Sequence, residues 1–230
     1  GTLLTHNIAK TIKSMGMRLM ISVDGIGVYH DIQRPYANGK GSFLDTQRGV
    51  SIAIEEEIPI DISITISAKN IDGLPEILEW ILQQNLPFSL NFYRENDLVI
   101  DMNKLKFEED RIIEGVLAAY KVIENNLPER SLLSSLVDRA NLSSPHLRTC
   151  GVGESYLVFG HDGQVSKCQM QMTKPITSFK SNDPLLEIRS DNDGIQNLVV
   201  HDKEGCRDCS WKHWCAGGCS LSTFRATGRY

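Results

Sequence analysis

IDISITISAKNIDGLPEILEWILQQNLPFSLNFYR, residues 60–94, holds a strand, a helix and a second strand in one run. Ile60, Ile62, Ile64 and Ile66 alternate with Asp61, Ser63, Thr65 and Ser67, the period of two that separates the faces of a β-strand, here Ile60 to Ser67. From Leu74 the spacing changes. Leu74, Ile77, Leu78, Ile81 and Leu82 fall on one face of a helix, with Pro75 tolerated in its first turn. Phe88, Leu90 and Phe92 then alternate with Ser89, Asn91 and Tyr93 in a strand that runs to Arg94.

The same pattern extends outward on both sides. Ile8, Ile12 and Met15 keep helical spacing and Gly16 suits the position that ends a helix. A strand from Arg18 to Asp24 sets Leu19, Ile21 and Val23 against Met20, Ser22 and Asp24. Behind a loop rich in Gly and Pro, Gly25 to Gly41, the residues Phe43, Gln47, Val50 and Ile54 predict another helix. Further on, Ile112, Ile113, Val116, Leu117, Tyr120 and Ile123 mark a longer one. Alternating strands and helices predict an α/β fold built on a parallel sheet.

Parallel strands covered on both faces usually read as unbroken apolar runs, and these do not. An antiparallel sheet with one face in water would explain the alternation. The apolar stripes of the intervening helices favour burial of the apolar side instead, which leaves the polar side to line a barrel interior or cleft that holds a polar ligand. In such folds ligands gather at the C-terminal ends of the strands, where Ser22 and Asp24 lie. Asp24 has a second reading, a cap on the turn that Gly25 begins.

With 230 residues, 41% of them hydrophobic, the chain can bury one large core or two modest ones. A net charge of −5 gives no general attraction to nucleic acid or to an anionic membrane. Neither a membrane-length apolar run nor a targeting segment is visible.

All six cysteines fall between Cys150 and Cys219. Cys150 is followed by twelve residues, Gly163, four residues and Cys168; the rest read Cys206-x2-Cys209-x5-Cys215-x3-Cys219. Soft thiolates at such spacing, on a backbone loosened by Gly205, Gly217 and Gly218, suit a tetrahedral metal or an iron–sulfur cluster. A disulfide scaffold belongs to small secreted domains. A single zinc site, the core of a non-catalytic interaction module, would use four thiols and leave two unexplained. Two clusters would use all six, given further ligands from elsewhere.

The cysteine pattern resembles the SPASM domain, which carries auxiliary clusters at the C-terminal end of many radical SAM peptide- and protein-modifying enzymes. Six of that family's seven cysteine positions match in order and spacing. The first half resembles the later part of a radical SAM partial (β/α)6 barrel: Gly1 to Leu4 look like the end of its TNGTLL segment, and Ile21-Ser22-Val23-Asp24-Gly25 like its ISLDG motif. His30-Asp31, Arg34-Pro35 and 38–43 continue the likeness.

The resemblance implies the later half of the barrel over 1–126, a linker or bridging helix over 127–146, and a SPASM domain with a β-hairpin over 147–230. It implies that the cysteine triad binding the S-adenosyl-L-methionine cluster lies upstream of Gly1, so that the segment alone would be inactive. Ser22 and Asp24 would line the S-adenosyl-L-methionine site, and Arg34 would pair with its carboxylate unless it is a solvated loop arginine. Two 4Fe-4S clusters would sit here, one on Cys150, Cys168 and Cys219, the other on Cys206, Cys209 and Cys215. Trp211, Trp214 and Phe224 would pack around them.

The implied parent is a cytoplasmic oxidoreductase that abstracts hydrogen from a side chain of a ribosomally made peptide or protein. Its partners would be that precursor peptide and an electron donor such as flavodoxin or ferredoxin, with no nucleic acid or membrane. Cyclophane-like carbon crosslinking is the leading chemistry and anaerobic sulfatase maturation (formylglycine formation) the alternative. Sulfatase-maturating relatives place an aspartate base directly after the second cysteine, where this chain has Gln169. An amide is no base at neutral pH.

Overall fold

The computed structural model describes residues 1–94, 108–136 and 138–230. They divide into two compact units. The first holds Gly1–Tyr93 and, beyond it, 108–136 and Asp138; the second holds Arg94 and Arg139–Tyr230.

In the first unit the order is α1 (His6–Ser14), β1 (Leu19–Ser22), α2 (Val28–Gln33), α3 (Phe43–Glu55), β2 (Ile60–Ile66), α4 (Leu74–Gln83), β3 (Phe88–Phe92) and α5 (Glu109–Asn125). The three strands pair in parallel in the order β1-β2-β3, with Ile21 opposite Ile62 and Ile64 opposite Leu90. Parallel neighbours require a crossover, and the helices supply it. Ile62, Ile64, Ile77, Leu78 and Ile81 are fully buried where α4 and the sheet meet, and α4 packs on α5. The isoleucine alternation of β2 thus becomes a core face.

The opposite face is not simply solvated. Asp61, Ser63 and Thr65 are half-buried, and Ser67 and Asp24 are fully buried. Only Met20, at 62% exposure, stands well out.

The segment from Gly25 to Gly41, read from sequence as a loop, contains α2. Gly27, with φ of 50°, starts this short helix, a backbone conformation that glycine adopts without Cβ strain. The described residues of 127–146 form turns and bends rather than a helix. Leu132 of this stretch is buried in the first unit's core, and Arg130 donates to the carbonyls of Asn85 (3.1 Å) and Leu86.

The second unit is irregular. β4 (Val158–Phe159) and β5 (Gln164–Ser166) pair antiparallel across a turn at 160–163, and β6 (Thr177–Ser178) pairs antiparallel with β5. α6 (Pro184–Ser190), α7 (Lys212–Cys215) and α8 (Ser220–Thr227) follow. No helix among the described residues is long and apolar enough to cross a membrane.

α3 takes its N-terminal cap from elsewhere in the chain. Ser42 makes no side-chain cap, and Asp31 Oδ1 instead accepts from the N–H groups of Ser42 at 2.7 Å and Phe43 at 2.8 Å. A Cβ at Gly41 would lie 2.3 Å from Asp31 Oδ2, so the approach demands glycine there. Asp31→Ala should therefore cost about 1–2 kcal/mol, as loss of a helix cap does, and Gly41→Ala should destabilise in the same direction. Urea unfolding of the two variants checks both.

Candidate functional site

At the C-terminal ends of β1 and β2 a buried carboxylate gathers donors from two other segments, β2 and the end of α2. Asp24 has no exposed surface. Its Oδ1 accepts from the Thr65 N–H at 2.8 Å; its Oδ2 accepts from Gln33 Nε2 at 2.7 Å and Arg34 Nε at 2.5 Å. A buried carboxylate is tolerable only with a counter-charge and filled lone pairs, and Asp24 has both. Arg34 Nη2 also reaches Thr65 Oγ1 at 3.4 Å. Its Nη1 has no hydrogen-bond partner among the described residues, and the side chain is 39% exposed.

Two amides lock the segments together. Gln33 Nε2 donates to the Thr65 carbonyl at 2.7 Å, and Gln33 Oε1 accepts from Ser67 Oγ. Asn70 Nδ2 donates to the carbonyls of Asp24 at 2.6 Å and Thr65 at 2.9 Å, while its Oδ1 accepts from the Ser67 N–H at 2.7 Å.

His30 closes the network from below. The Asp24 N–H donates to His30 Nδ1 at 3.2 Å, so the ring proton sits on Nε2, which donates to Ser42 Oγ at 3.1 Å. That hydroxyl donates to the Arg34 carbonyl at 2.5 Å. Burial pushes the His30 pKa below the usual histidine value; the attraction of Asp24 opposes this, Arg34 adds to it and Asp31 opposes it.

The thiols lie in the second unit. Cys150, Cys168 and Cys219 share an apolar cluster with Val152, Ile195 and Leu221. Cys168 Sγ accepts from the Met170 N–H at 3.5 Å. Burial pushes the Cys168 thiol up. Burial acts on Cys219 in the same sense, but the Ser222 N–H and hydroxyl, then Arg94 and the Leu221 N–H, outweigh it and bring the thiol below its ordinary value. Cys219 stands at the start of α8, where backbone N–H groups favour an anion. Asn197 Nδ2 holds the backbone on either side, donating to the carbonyls of Cys150 at 2.7 Å and Val152 at 3.1 Å.

Cys206 is half-buried, whereas Cys209 and Cys215 are exposed; Cys209 Sγ accepts from the Trp211 N–H at 3.4 Å. Ala216, Gly217 and Gly218 all have positive φ, which turns the chain sharply between Cys215 and Cys219. Thr149 Oγ1 fastens this turn beside Cys150 through the carbonyls of Ala216 at 3.0 Å and Gly218 at 2.6 Å. Lys203, only 3% exposed, donates from Nζ to the same Ala216 carbonyl at 2.8 Å. Burial pushes its ammonium below the ordinary lysine range, and the thiols of Cys206, Cys150, Cys215 and Cys219 pull the other way.

Among the described residues no three His, Cys, Asp or Glu side chains stand close enough to hold a metal ion as they are. The donor set nevertheless fits iron–sulfur chemistry. The thiols are free, Cys168, Cys209 and Cys219 accept from backbone N–H groups, and a buried ammonium lies within electrostatic reach of both cysteine groups.

The fold is one already seen in solved structures. Native anSMEcpe with bound AdoMet, an anaerobic sulfatase-maturating enzyme, matches with a TM-score of 0.67 at 15% identity, over 95% of this chain and 63% of that one. Tagged anSMEcpe with bound AdoMet gives 0.68 at 16% identity, over 95% and 60%. The native form with AdoMet and the Cp18Cys peptide gives 0.64 at 17%, over 95% and 64%. At these identities the likeness is one of fold. In sequence, an uncharacterized protein of Methanocaldococcus jannaschii is 31% identical over 133 residues, 56% of this chain and 46% of that protein. No family model matches. The chain thus spans about half the length of this curated relative and under two thirds of the solved enzymes.

Among the residues singled out from sequence, Asp24 and Arg34 come together as an ion pair. Asp24 does not cap the turn at Gly25, and Arg34 is no freely solvated loop arginine. Ser22 is half-buried in β1 opposite Ser63. Trp211, expected to shield a cluster, is 65% exposed, and Phe224 stacks on Tyr230 at 4.5 Å. Sequence reading missed Gln33, Asn70 and Lys203. Thr65 and Ser67, at the end of the polar side of β2, were the available signal for the first two.

The state of His30 sets a pH dependence. Its folded pKa is depressed, so the unfolded chain takes up the proton first on acidification. The stability His30 contributes is full above about pH 6.5, the ordinary histidine value, and is lost as pH falls through the folded pKa. Denaturant unfolding across pH should show this decline, and His30→Gln should be less stable at neutral pH with a flatter profile below about pH 6.5.

Proposed function

We propose that the chain is the strand-end and auxiliary-cluster part of a radical SAM maturase acting on a ribosomally made peptide or protein. The observation that carries this is the set of six free thiols, four of them within electrostatic reach of buried Lys203, in a fold shared with AdoMet-binding anSMEcpe. Bound S-adenosyl-L-methionine supplies, on reductive cleavage, the means of taking a hydrogen atom from a substrate side chain.

The residues of this chain bind and orient. Asp24 and Thr65 fix Arg34 along one edge of its guanidinium, and Nη1 is left to meet the carboxylate of S-adenosyl-L-methionine. Ser22, the last residue of β1 and two before Asp24, contributes a hydroxyl nearby in sequence. Because His30 is neutral with a bare Nδ1, it holds the Asp24 backbone without adding positive charge beside Arg34.

In the second unit Cys150, Cys168 and Cys219 would hold one 4Fe-4S cluster, whose fourth position is open or filled by another group, and Cys206, Cys209 and Cys215 would hold the other, with a fourth ligand from elsewhere. The chemistry such clusters would supply is one-electron transfer at the substrate, with a donor such as flavodoxin or ferredoxin as the protein's electron source.

The chemistry favoured is carbon-centred modification, such as crosslinking, of a small precursor peptide. Gln169, directly after Cys168, accepts at Oε1 from Tyr156 Oη at 2.9 Å, and neither group is a base at neutral pH. The likeness to anSMEcpe favours sulfatase maturation as the second reading.

Two results should follow. Anaerobically reconstituted protein should bind iron and sulfide, and the double variant Cys206→Ala, Cys209→Ala should lose about one cluster's worth of iron while keeping much of the rest. Unchanged iron, or stoichiometric zinc in its place, would refute the assignment. Full-length enzyme given S-adenosyl-L-methionine and reductant should remove two hydrogens from a precursor peptide encoded nearby. Formylglycine from a sulfatase peptide, without that loss, would favour the second reading.

A further inference from the structure

Lys203 is a buried cation whose compensation is unusual. Its Nζ makes a hydrogen bond to the Ala216 carbonyl, and among the described residues no carboxylate lies within ion-pair distance. Lys167, the other buried lysine of the second unit, shows the ordinary arrangement. Its Nζ lies 2.5 Å from Asp191 Oδ2 and donates to the carbonyls of Asp191 at 2.6 Å and Asp193 at 3.2 Å. An ammonium taken out of water without a partner is strongly disfavoured, so negative charge must reach Lys203 from something other than a carboxylate.

The surroundings supply it from two directions. Lys203 lies within electrostatic reach of Cys150 and Cys219 of one cysteine group and of Cys206 and Cys215 of the other. The packing that keeps it there is close. A Cβ at Gly217 would lie 2.7 Å from Lys203 Cδ, 3.2 Å from its Nζ and 3.2 Å from Cys206 Sγ. Only a residue without a side chain, at φ of 80°, lets the lysine and the thiol stand side by side. Ala216, whose carbonyl takes the lysine's hydrogen bond, sits in the turn that separates Cys215 from Cys219. The ammonium is thereby fixed beside Cys206 and on the turn between Cys215 and Cys219, whose Ala216 carbonyl also takes the hydroxyl of Thr149, next to Cys150.

We infer that Lys203 is a shared charge partner of the two cysteine groups, and that it raises the reduction potential of the clusters they hold. This rests on the iron–sulfur reading of the thiols. A one-electron reduction adds one negative charge to a cluster, and a fixed cation in a site of low dielectric stabilises that reduced form over the oxidised one. Lys203 contributes no ligand. It acts through the thiolates, so its removal should change the potential before it changes occupancy.

The test compares wild-type protein with Lys203→Met, which keeps the length of the side chain and removes its charge, and Lys203→Gln, which also keeps a donor for the Ala216 carbonyl. Each is reconstituted anaerobically with iron and sulfide and titrated with dithionite, the electron source, while electron paramagnetic resonance follows cluster reduction. Iron content near the wild-type value with midpoint potentials shifted to more negative values, in whichever variant folds, is the expected result. Wild-type iron content with unshifted potentials would overturn the role of Lys203 and leave the clusters standing. A wild-type protein that takes up zinc and no iron would overturn the reading of the thiols, and this inference with it. As an independent readout, metal-free Lys203→Met should unfold at higher denaturant than metal-free wild type, because the uncompensated cation is gone; equal or lower stability would count against it.

Discussion

A carboxylate with no access to water holds the first unit's strand ends in place. Asp24 lies two residues past the end of β1, yet its donors come from the backbone of β2 and from the end of α2. Each partner is thereby given a fixed position: Arg34 along one edge of its guanidinium, Gln33 between Asp24 and the Thr65 carbonyl, and Thr65 through its N–H. Remove the carboxylate, and a buried N–H, an amide and a guanidinium all lose an acceptor at once. A ligand-binding end of a parallel sheet needs this kind of order, because polar groups arriving on separate segments otherwise solvate independently. The constraint also reaches downwards: the Asp24 N–H fixes the tautomer of His30, and through Ser42 the neighbourhood of the α3 cap.

The second unit solves a different problem. Its strands are two or three residues long, and its apolar cluster is small, so backbone pairing and hydrophobic burial do little to define it. Definition comes from point attachments instead: Asn197 to the backbone around Cys150, Thr149 and Lys203 to the turn at Ala216, and Lys167 to 191–193. Small, loop-rich units of this kind commonly depend on metal or disulfide for stability. All six thiols here are free, which fits a metal-dependent unit better than a crosslinked one.

Much of the first unit was legible because periodicity is a direct consequence of burial. The isoleucines of β2 and the Leu74–Leu82 stripe of α4 face one core, and any reading of spacing finds them. The polar side of the strands was legible as polar but not as buried. Ser67 and Asp24 are fully covered through side chains such as Gln33 and Asn70, which arrive from loops and a six-residue helix without a periodic signal. α2 itself was missed because glycines and a proline surround it and its start uses a positive φ that sequence does not mark. The cysteine spacings were legible as two groups, and the structure places Cys150, Cys168 and Cys219 in one apolar cluster. Lys203 was invisible for the opposite reason: a lysine near charged neighbours reads as surface, and only the fold reveals that it is buried between thiols.

We propose that the six cysteines hold two iron–sulfur clusters, one on each group of three thiols. Mössbauer spectroscopy of anaerobically reconstituted, iron-enriched protein tests it most directly, since sulfide-bridged and isolated iron give different isomer shifts and quadrupole splittings. The account predicts a spectrum dominated by sulfide-bridged, thiolate-bound iron, diminished by about half when Cys150, Cys168 and Cys219 are replaced by alanine. A spectrum of mononuclear iron alone, or protein that retains zinc and no iron, would contradict it.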